Sequence, residues 1–170
     1  YWNQPDGVLH RNGSDSDIVK EALAEMESEI EKLAGELEDT LIFVTADHGH
    51  IDNEIVILQD YPELIECLER LPSLEPRALN LFVKKEKEEF FIKEFNRLFG
   101  EKFMLITIKE ALKRQLFGDK EYHKEFLGML GNYLAIATGD MSIYFTDERW
   151  LSMHGSLTKE EMQIPLIVFE

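Results

Sequence analysis

Five residues in three short segments have side chains that bind divalent metal ions. Asp6 and His10 lie in PDGVLHRNG near the start of the chain, Asp47 and His48 follow the apolar run TLIFVTA, and His154 lies in MHGSLTKEEMQIPL. Carboxylate and imidazole together suit zinc, manganese or iron. Two such groups of ligands suggest a dinuclear hydrolytic centre.

The spacing within two of the motifs agrees with a shared ion. Asp6 and His10 are four residues apart, so one helical turn or a tight loop would direct both side chains at the same ion. Asp47 and His48 directly follow a strand-like run, and ligands in open α/β sheets bind beyond the carboxyl ends of strands. Each motif alone is better explained by surface or turn residues, and only the combination favours a metal site.

Three other residues with reactive side chains are assigned no role at the site. We interpret His50 and His123 as non-ligands, because no motif surrounds either one. Cys67 lies in the helix-like segment ELIECLERL and is interpreted as a small core residue. A single cysteine allows no internal disulfide and is compatible with reducing surroundings, which favours a cytoplasmic location.

The motifs lie in a chain whose helix and strand patterns alternate. Apolar residues recur every three or four positions over residues 14–38, which predicts a long helix, and residues 41–46 form an apolar run of strand length. Further helices are predicted over residues 62–71, 87–99 and 109–117, and further strands over 78–83, 103–108, 132–138, 141–146 and 165–169. We expect the strands 132–138 and 141–146 to pair as a hairpin. The alternation predicts an α/β fold with a mostly parallel sheet flanked by helices, in a single domain over residues 1–170.

The composition is that of an acidic globular protein. The formal net charge is -16 and hydrophobic residues make up 44% of the chain. This charge argues against binding to a nucleic-acid polymer or an anionic membrane. No apolar run approaches the roughly 18 residues that would span a bilayer, so we expect no membrane segment in this chain. Residues 14–39 contain ten acidic residues and two lysines, which we interpret as the solvated face of the long helix.

The order of the motifs resembles the alkaline phosphatase superfamily, in particular its type I phosphodiesterase/nucleotide pyrophosphatase branch. The resemblance rests on PD-x-x-x-H, on a strand followed by ADHG, and on HG-x-L followed by Glu and an IPL strand. It covers nearly the whole chain, which corresponds to the carboxyl-terminal portion of the family's catalytic domain. The implied fold is alkaline phosphatase-like, without the amino-terminal half.

The resemblance also implies roles for the five ligand residues. Asp6, His10 and His154 match the ligands of one metal site, and Asp47 and His48 match two ligands of a second site. Two divalent ions, zinc or else manganese, would lie about 4 Å apart and act on a phosphorylated small molecule or a nucleotide. The family's Ser or Thr nucleophile and a further Asp ligand precede the part that matches. We therefore expect no catalytic nucleophile in this chain, at most one well-formed metal site, and little or no hydrolase activity of the chain alone.

Three hydroxyl residues near the motifs are not assigned as the nucleophile. Thr45 lies inside the predicted strand, and Ser156 and Thr158 are turn or capping residues. Two alternatives stay open: another branch of the superfamily, such as the phosphomutases, sulfatases or phosphonate hydrolases, and a non-catalytic binding module with a vestigial metal site. Because the absent half would uncover a sheet edge and apolar surface, we also expect self-association.

Overall fold

The computed structural model describes residues 1–147 and 149–169, which form two compact units. The first unit contains residues 1–53, 150–154 and 158–169, and the second contains the described residues of 54–149 together with 155–157. The single domain over residues 1–170 stays a prediction.

Helices and strands alternate along much of the chain. The helices are α1 (Gln4–Asn12), α2 (Asp17–Glu36), α3 (Pro62–Ile65), α4 (Glu88–Phe99), α5 (Ile108–Lys113), α6 (Phe126–Met129) and α7 (Lys159–Met162). The strands are β1 (Ile42–Thr45), β2 (Ile51–Asp52), β3 (Glu54–Ile57), β4 (Ser73–Glu75), β5 (Ala78–Leu81), β6 (Phe103–Thr107), β7 (Tyr133–Ala137), β8 (Met141–Tyr144), β9 (Ser152–Met153) and β10 (Leu166–Phe169). The α/β class predicted from the sequence is confirmed.

The first unit consists of helices α1, α2 and α7 and two short antiparallel ladders. Strand β1 pairs with β10, and β2 pairs with β9. The Ser16 hydroxyl accepts a hydrogen bond from the Val19 N–H and so begins α2, as Ser at an N-cap commonly does. Among the apolar residues of the described part of this unit, only Val19 and Met153 are buried. The unit therefore has little hydrophobic core of its own.

The second unit is built around a four-stranded sheet in the order β4-β5-β7-β6. Every residue of the central strand β7 is buried, and its side chains alternate between the two faces of the sheet. Tyr133, Ala135 and Ala137 pack in one core with α4, while Leu134 and Ile136 pack in a second core with α5. The prediction that helices flank the sheet is confirmed for this unit.

The prediction of a mostly parallel sheet is wrong. Within the described residues, five of the six strand pairings are antiparallel, and only β3 and β8 pair in parallel. Helix α4 does connect two parallel strands, β5 and β6, as a strand–helix–strand pattern predicts. However, β7 lies between them and runs antiparallel to both, so the parallel strands never pair directly.

The predicted hairpin between residues 132–138 and 141–146 is also wrong. Both strands form, as β7 and β8, but β7 pairs with β5 and β6 while β8 pairs with β3. The fully apolar sequence of β7 lets both of its edges and both of its faces be buried in the larger sheet. That burial stabilises more than a two-stranded ribbon could, since an isolated hairpin is marginal in water.

Several large apolar side chains of the first unit remain exposed. They are Ile18, Leu23 and Leu33 on α2, Leu37 directly after it, Phe43 on β1, and Leu166, Ile167 and Val168 on β10. The acidic face predicted for the long helix is exposed as well. Exposed apolar surface of this kind is characteristic of interaction sites, but self-association stays a prediction. Within the described residues, no helix is both long enough and apolar enough to cross a membrane.

Two phenylalanines of α4 provide a matched test of this packing. Phe95 is 1% exposed in the core, whereas Phe90 on the same helix is 50% exposed. We expect Phe95→Ala to lower the free energy of unfolding by about 3–5 kcal/mol, because it removes a buried ring and leaves a cavity. Phe90→Ala should change it by less than about 1 kcal/mol. Denaturant titration followed by circular dichroism measures both, and equal losses would contradict the packing described.

Candidate metal centre

Helix α1 positions Asp6 and His10. Pro5 lies in its first turn, where the missing N–H of proline costs nothing. The helix ends at Gly13, whose φ of 79° lies in the region that side chains disfavour. Just beyond, the Ser14 N–H donates to the Asp52 carboxylate at 2.7 Å, which ties the end of the helix to β2. Asp6 and His10 are therefore one turn apart on a helix that is fixed at its carboxyl end.

The β2–β9 ladder positions the other histidines. Because the strands are antiparallel, residue 50 at the start of β2 lies next to residue 154 at the end of β9. The Leu151 N–H also donates to the His10 carbonyl at 2.8 Å, so α1 and β9 are joined directly. Before β2, Gly49 lies so close to α7 that an added Cβ would be 2.0 Å from the Glu160 carbonyl oxygen. Only glycine fits at that position of the motif.

Three imidazoles converge around one carboxylate oxygen. The Nε2 atoms of His50, His10 and His154 lie 3.0, 3.2 and 3.6 Å from Oδ1 of Asp6. Each of the four residues offers a ligand-type atom, and these atoms all lie within 4.8 Å of one another. All four residues are partly buried. The three ligands predicted for one site, Asp6, His10 and His154, are thus brought together, with His50 beside them.

The two remaining predicted ligands lie next to this group but outside it. The His48 ring stacks on the His154 ring, with centroids 3.6 Å apart and planes 17° from parallel. Asp47 is more exposed, and its Oδ2 accepts a 3.4 Å hydrogen bond from the Tyr1 hydroxyl. The pKa of Asp47 is lowered, chiefly by its own backbone N–H and further by nearby His48. Asp47 therefore presents an ionised carboxylate beside the cluster.

Burial lowers the pKa of two imidazoles of the cluster, those of His50 and His154. Burial, reinforced by the neighbouring His48, His50 and His10, lowers the pKa of His154 to about 4. Burial also lowers the pKa of His50, although the hydrogen bond to Asp6 opposes the shift. A histidine must be neutral to bind a metal. These groups therefore need not lose a proton to bind an ion at pH 7.

The donor set and its spacing fit a small divalent ion. In a tetrahedral zinc site with bonds of about 2.0 Å, neighbouring ligand atoms lie about 3.3 Å apart. The three distances from Asp6 Oδ1 bracket that value. Three imidazoles and one carboxylate suit zinc, iron or manganese better than magnesium or calcium, which prefer oxygen ligands.

The three hydroxyl residues set aside as nucleophiles each have a hydrogen-bond acceptor. Thr45 donates to the Pro165 carbonyl at 2.9 Å, and Ser156 donates to the Ala137 carbonyl at 2.6 Å. Thr158 donates to the Glu161 carboxylate at 2.5 Å. These contacts agree with the structural roles expected from the sequence.

Sequence reasoning missed His50, a residue of the cluster, and Ser152, which contacts it. His50 and His48 are two positions apart, and that spacing puts both side chains on one side of an extended segment. The sequence DHGH at residues 47–50 therefore already indicated that His50 lies on the same side as His48. Ser152 is fully buried and contacts two of the histidines, but no motif indicates it. His123, the other histidine interpreted as a non-ligand, is exposed and lies in the second unit.

The family follows from a match over most of the chain. The model of the family described as type I phosphodiesterase/nucleotide pyrophosphatase matches residues 1–160. The chain belongs to this family, a branch of the alkaline phosphatase superfamily, as the motifs predicted. A search of curated protein sequences finds no match.

Solved structures share the fold. Human ectonucleotide pyrophosphatase/phosphodiesterase 5 is 15% identical with a TM-score of 0.74, and 99% of this chain covers 45% of that one. The mouse protein, as an inactive variant in complex with AMP, is 19% identical with a TM-score of 0.70. The match covers 98% of this chain and 45% of the mouse chain. Phosphonoacetate hydrolase from Sinorhizobium meliloti, in complex with phosphonoformate, is 16% identical with a TM-score of 0.67. The match covers 97% of this chain and 44% of the hydrolase chain. The chain thus spans less than half the length of each.

The low pKa of His154 predicts how the metal-free protein responds to acid. Its folded value of about 4 lies below the ordinary 6.5, so the unfolded chain binds more protons between these values and stability falls as the pH is lowered from 6.5 to 4. This contribution is at most about 3 kcal/mol. Unfolding free energies measured with chelator present should show a shallower pH slope in His154→Asn but not in His123→Asn. An unchanged slope in His154→Asn would contradict the burial of this imidazole.

Proposed function

We propose that the chain forms the metal-binding, carboxyl-terminal part of a phosphodiesterase/nucleotide pyrophosphatase-type hydrolase. The observation that carries this proposal is the convergence of Asp6, His10 and His154 from two distant motifs. Membership of the family over residues 1–160 supports the same conclusion. Because the chain spans 45% of the related structures, the activity is proposed for a longer protein that contains it.

The residues would divide between two ions. Asp6, His10 and His154 would hold the first ion, and Asp47 and His48 would supply two ligands of the second. When bound, such ions supply positive charge that stabilises the attacking and leaving oxygens of phosphoryl transfer. The chain itself fixes the ligand orientation. His10, for example, donates its Nδ1–H to the Ser152 carbonyl at 2.7 Å, which leaves Nε2 unprotonated and directed at Asp6.

A nucleotide phosphodiester or pyrophosphate is the proposed substrate class. The family description names both activities, and the related mouse structure is a complex with AMP. The exposed, ionised Asp47 and the acidic charge of the chain would repel an anionic phosphate unless bound cations reversed the local field. The net charge of -16 therefore makes substrate binding dependent on metal.

A phosphonate-cleaving activity is the second candidate. The structure of phosphonoacetate hydrolase has the same fold with nearly the same coverage. The two candidates would share the metal ligands in this chain and differ in the leaving group. Parallel assays on a nucleotide diester, a phosphonate and a sulfate ester, each with the longer protein, distinguish the branches.

Metal uptake by this chain tests the first site directly. We expect the wild-type chain to bind zinc, and His154→Ala or Asp6→Asn to weaken its affinity by at least about 100-fold, since each loses a ligand. Calorimetric titration and elemental analysis measure the affinity and the stoichiometry. His123→Ala removes a histidine outside the cluster and should bind zinc normally. Zinc affinity that His154→Ala leaves unchanged would refute the site.

Turnover measurements test whether this chain supplies metal ligands but no nucleophile. The zinc-loaded chain alone should hydrolyse a chromogenic phosphodiester no faster than its His10→Ala variant, because no hydroxyl in it is assigned as nucleophile. A longer protein that includes this chain should turn over the same substrate and lose at least about 100-fold in rate on His10→Ala or Asp47→Ala. Turnover by the chain alone that Asp47→Ala abolishes would contradict the proposed division.

A further inference from the structure

His50 makes the closest approach to the carboxylate at the centre of the cluster. Its Nε2 lies 3.0 Å from Asp6 Oδ1, closer than the Nε2 of His10 or His154. Its side chain is 6% exposed, against 14% for His10 and 20% for His154. An imidazole this buried needs partners for both nitrogens, and the second nitrogen, Nδ1, lies 3.2 Å from the Ser152 hydroxyl.

We propose that His50 is the fourth protein ligand of the first metal site, through Nε2. The proposal rests on the proposed function, because it concerns the site that Asp6, His10 and His154 form. Three Nε2 atoms lie 3.0–3.6 Å from Asp6 Oδ1. Neighbouring ligand atoms in a tetrahedral zinc site are about 3.3 Å apart. The four ligand atoms lie within 4.8 Å of one another. Once they closed around an ion, His50 would take one corner of the tetrahedron, where a three-ligand site would hold water.

Ser152 orients two of the three imidazoles. Its carbonyl accepts a hydrogen bond from His10 Nδ1 at 2.7 Å, and its hydroxyl lies 3.2 Å from His50 Nδ1. Both rings consequently direct Nε2 at Asp6. The residue is fully buried, so water does not compete for these contacts. Such contacts to the outer nitrogen of a metal-binding histidine fix its tautomer and orientation.

The Ser152 hydroxyl lets His50 exist in either tautomer. Without an ion, His50 Nε2–H donates to the Asp6 carboxylate, and the hydroxyl donates to Nδ1. With an ion, Nδ1–H donates to the hydroxyl oxygen, and the Nε2 lone pair is free to bind. A hydroxyl can act as donor or acceptor by rotating, so the Ser152 hydroxyl pairs with His50 Nδ1 in either state.

Four protein ligands would give this site a different character from a three-ligand site. A catalytic zinc site usually keeps one position for water or substrate, whereas a site with four protein ligands is closed. The closed site would hold α1 against the β2–β9 ladder. The first ion would then stabilise a reacting oxygen by expanding to five ligands, as catalytic zinc does in some transition states.

A competing role for His50 makes a different prediction. If His50 only supports Asp6 by hydrogen bonding, its Nε2 keeps its proton when the ion binds. If His50 is a ligand, Nε2 loses that proton and Nδ1 carries it. The two roles therefore differ in whether His50 Nε2 carries a proton when the ion is bound.

Nuclear magnetic resonance of the wild-type chain decides between these roles. With labelled imidazole nitrogens and one equivalent of an NMR-active cadmium isotope, we expect scalar coupling from the metal to Nε2 of His10, His50 and His154. The His50 signal is assigned by its loss in His50→Leu. A His50 Nε2 that stays protonated and uncoupled in the loaded protein would overturn the proposal.

Zinc affinity provides the second measurement. His50→Ala and the better-filling His50→Leu should each weaken zinc binding by more than about 100-fold, beyond the usual effect of an outer contact. Ser152→Ala should weaken it by about 10- to 100-fold and alter the His50 tautomer in the nitrogen spectrum. His123→Ala is the control and should bind as the wild type does. Unchanged affinity in folded His50→Leu would overturn the proposal.

The outcomes separate this inference from the proposed function. Zinc binding that is lost in His154→Ala but kept in His50→Leu would retain the metal site and overturn only the role of His50. A wild-type chain that takes up neither zinc nor cadmium would overturn both. If His50→Ala and His50→Leu fail to fold, the His50 ring nitrogens are assigned in the wild-type chain through their connectivity to the His50 backbone, and the coupling to Nε2 still decides.

Discussion

The pairing of β2 with β9 is the constraint on which the candidate site depends. It brings His50 and Ser152 together although they are 102 positions apart along the chain. Only two residue pairs form this ladder, so its own hydrogen bonds provide little stability against the entropy of closing so long a loop. The hydrogen bond from Leu151 to the His10 carbonyl and the contact of Ser14 with Asp52 attach α1 to the same ladder. Three distant segments are thus held by a small number of polar contacts.

Because so few contacts hold these segments together, metal binding would also contribute to the stability of the first unit. The first unit buries only two apolar residues in its described part, and many large apolar side chains on α2, β1 and β10 are exposed. In contrast, the sheet of the second unit is covered on both faces. Where hydrophobic burial is small, the free energy of metal binding becomes part of the free energy of folding. An ion held by residues of α1, β9 and the start of β2 would therefore order the unit as well as serve its chemistry.

Electrostatics explains why the imidazoles can be crowded here. Five of the pairs among the rings of His10, His48, His50 and His154 have centroids 3.6–5.3 Å apart. Protonation of several would place like charges in contact in a half-buried site, so burial and mutual repulsion hold His154 neutral, while Asp6 provides the negative charge. A divalent ion replaces repulsion among donors by attraction to all of them. The same arrangement is strained electrostatically when empty and acidified, and favourable when an ion is bound.

The sequence by itself determined the family, the α/β class and the local elements that carry the motifs, because these depend on short-range patterns. The four-residue spacing of Asp6 and His10 on α1, and the strand that precedes Asp47 and His48, are of this kind. Strand pairing was not determined by the sequence, because the fully apolar β7 has no local feature that selects its partner strands. Its place between β5 and β6 follows from packing over the whole sheet. The inclusion of His50 and Ser152 in the cluster was likewise decided only by tertiary structure. No local pattern encodes the register of a two-residue ladder, and it is this register that places both residues beside Asp6 and His10.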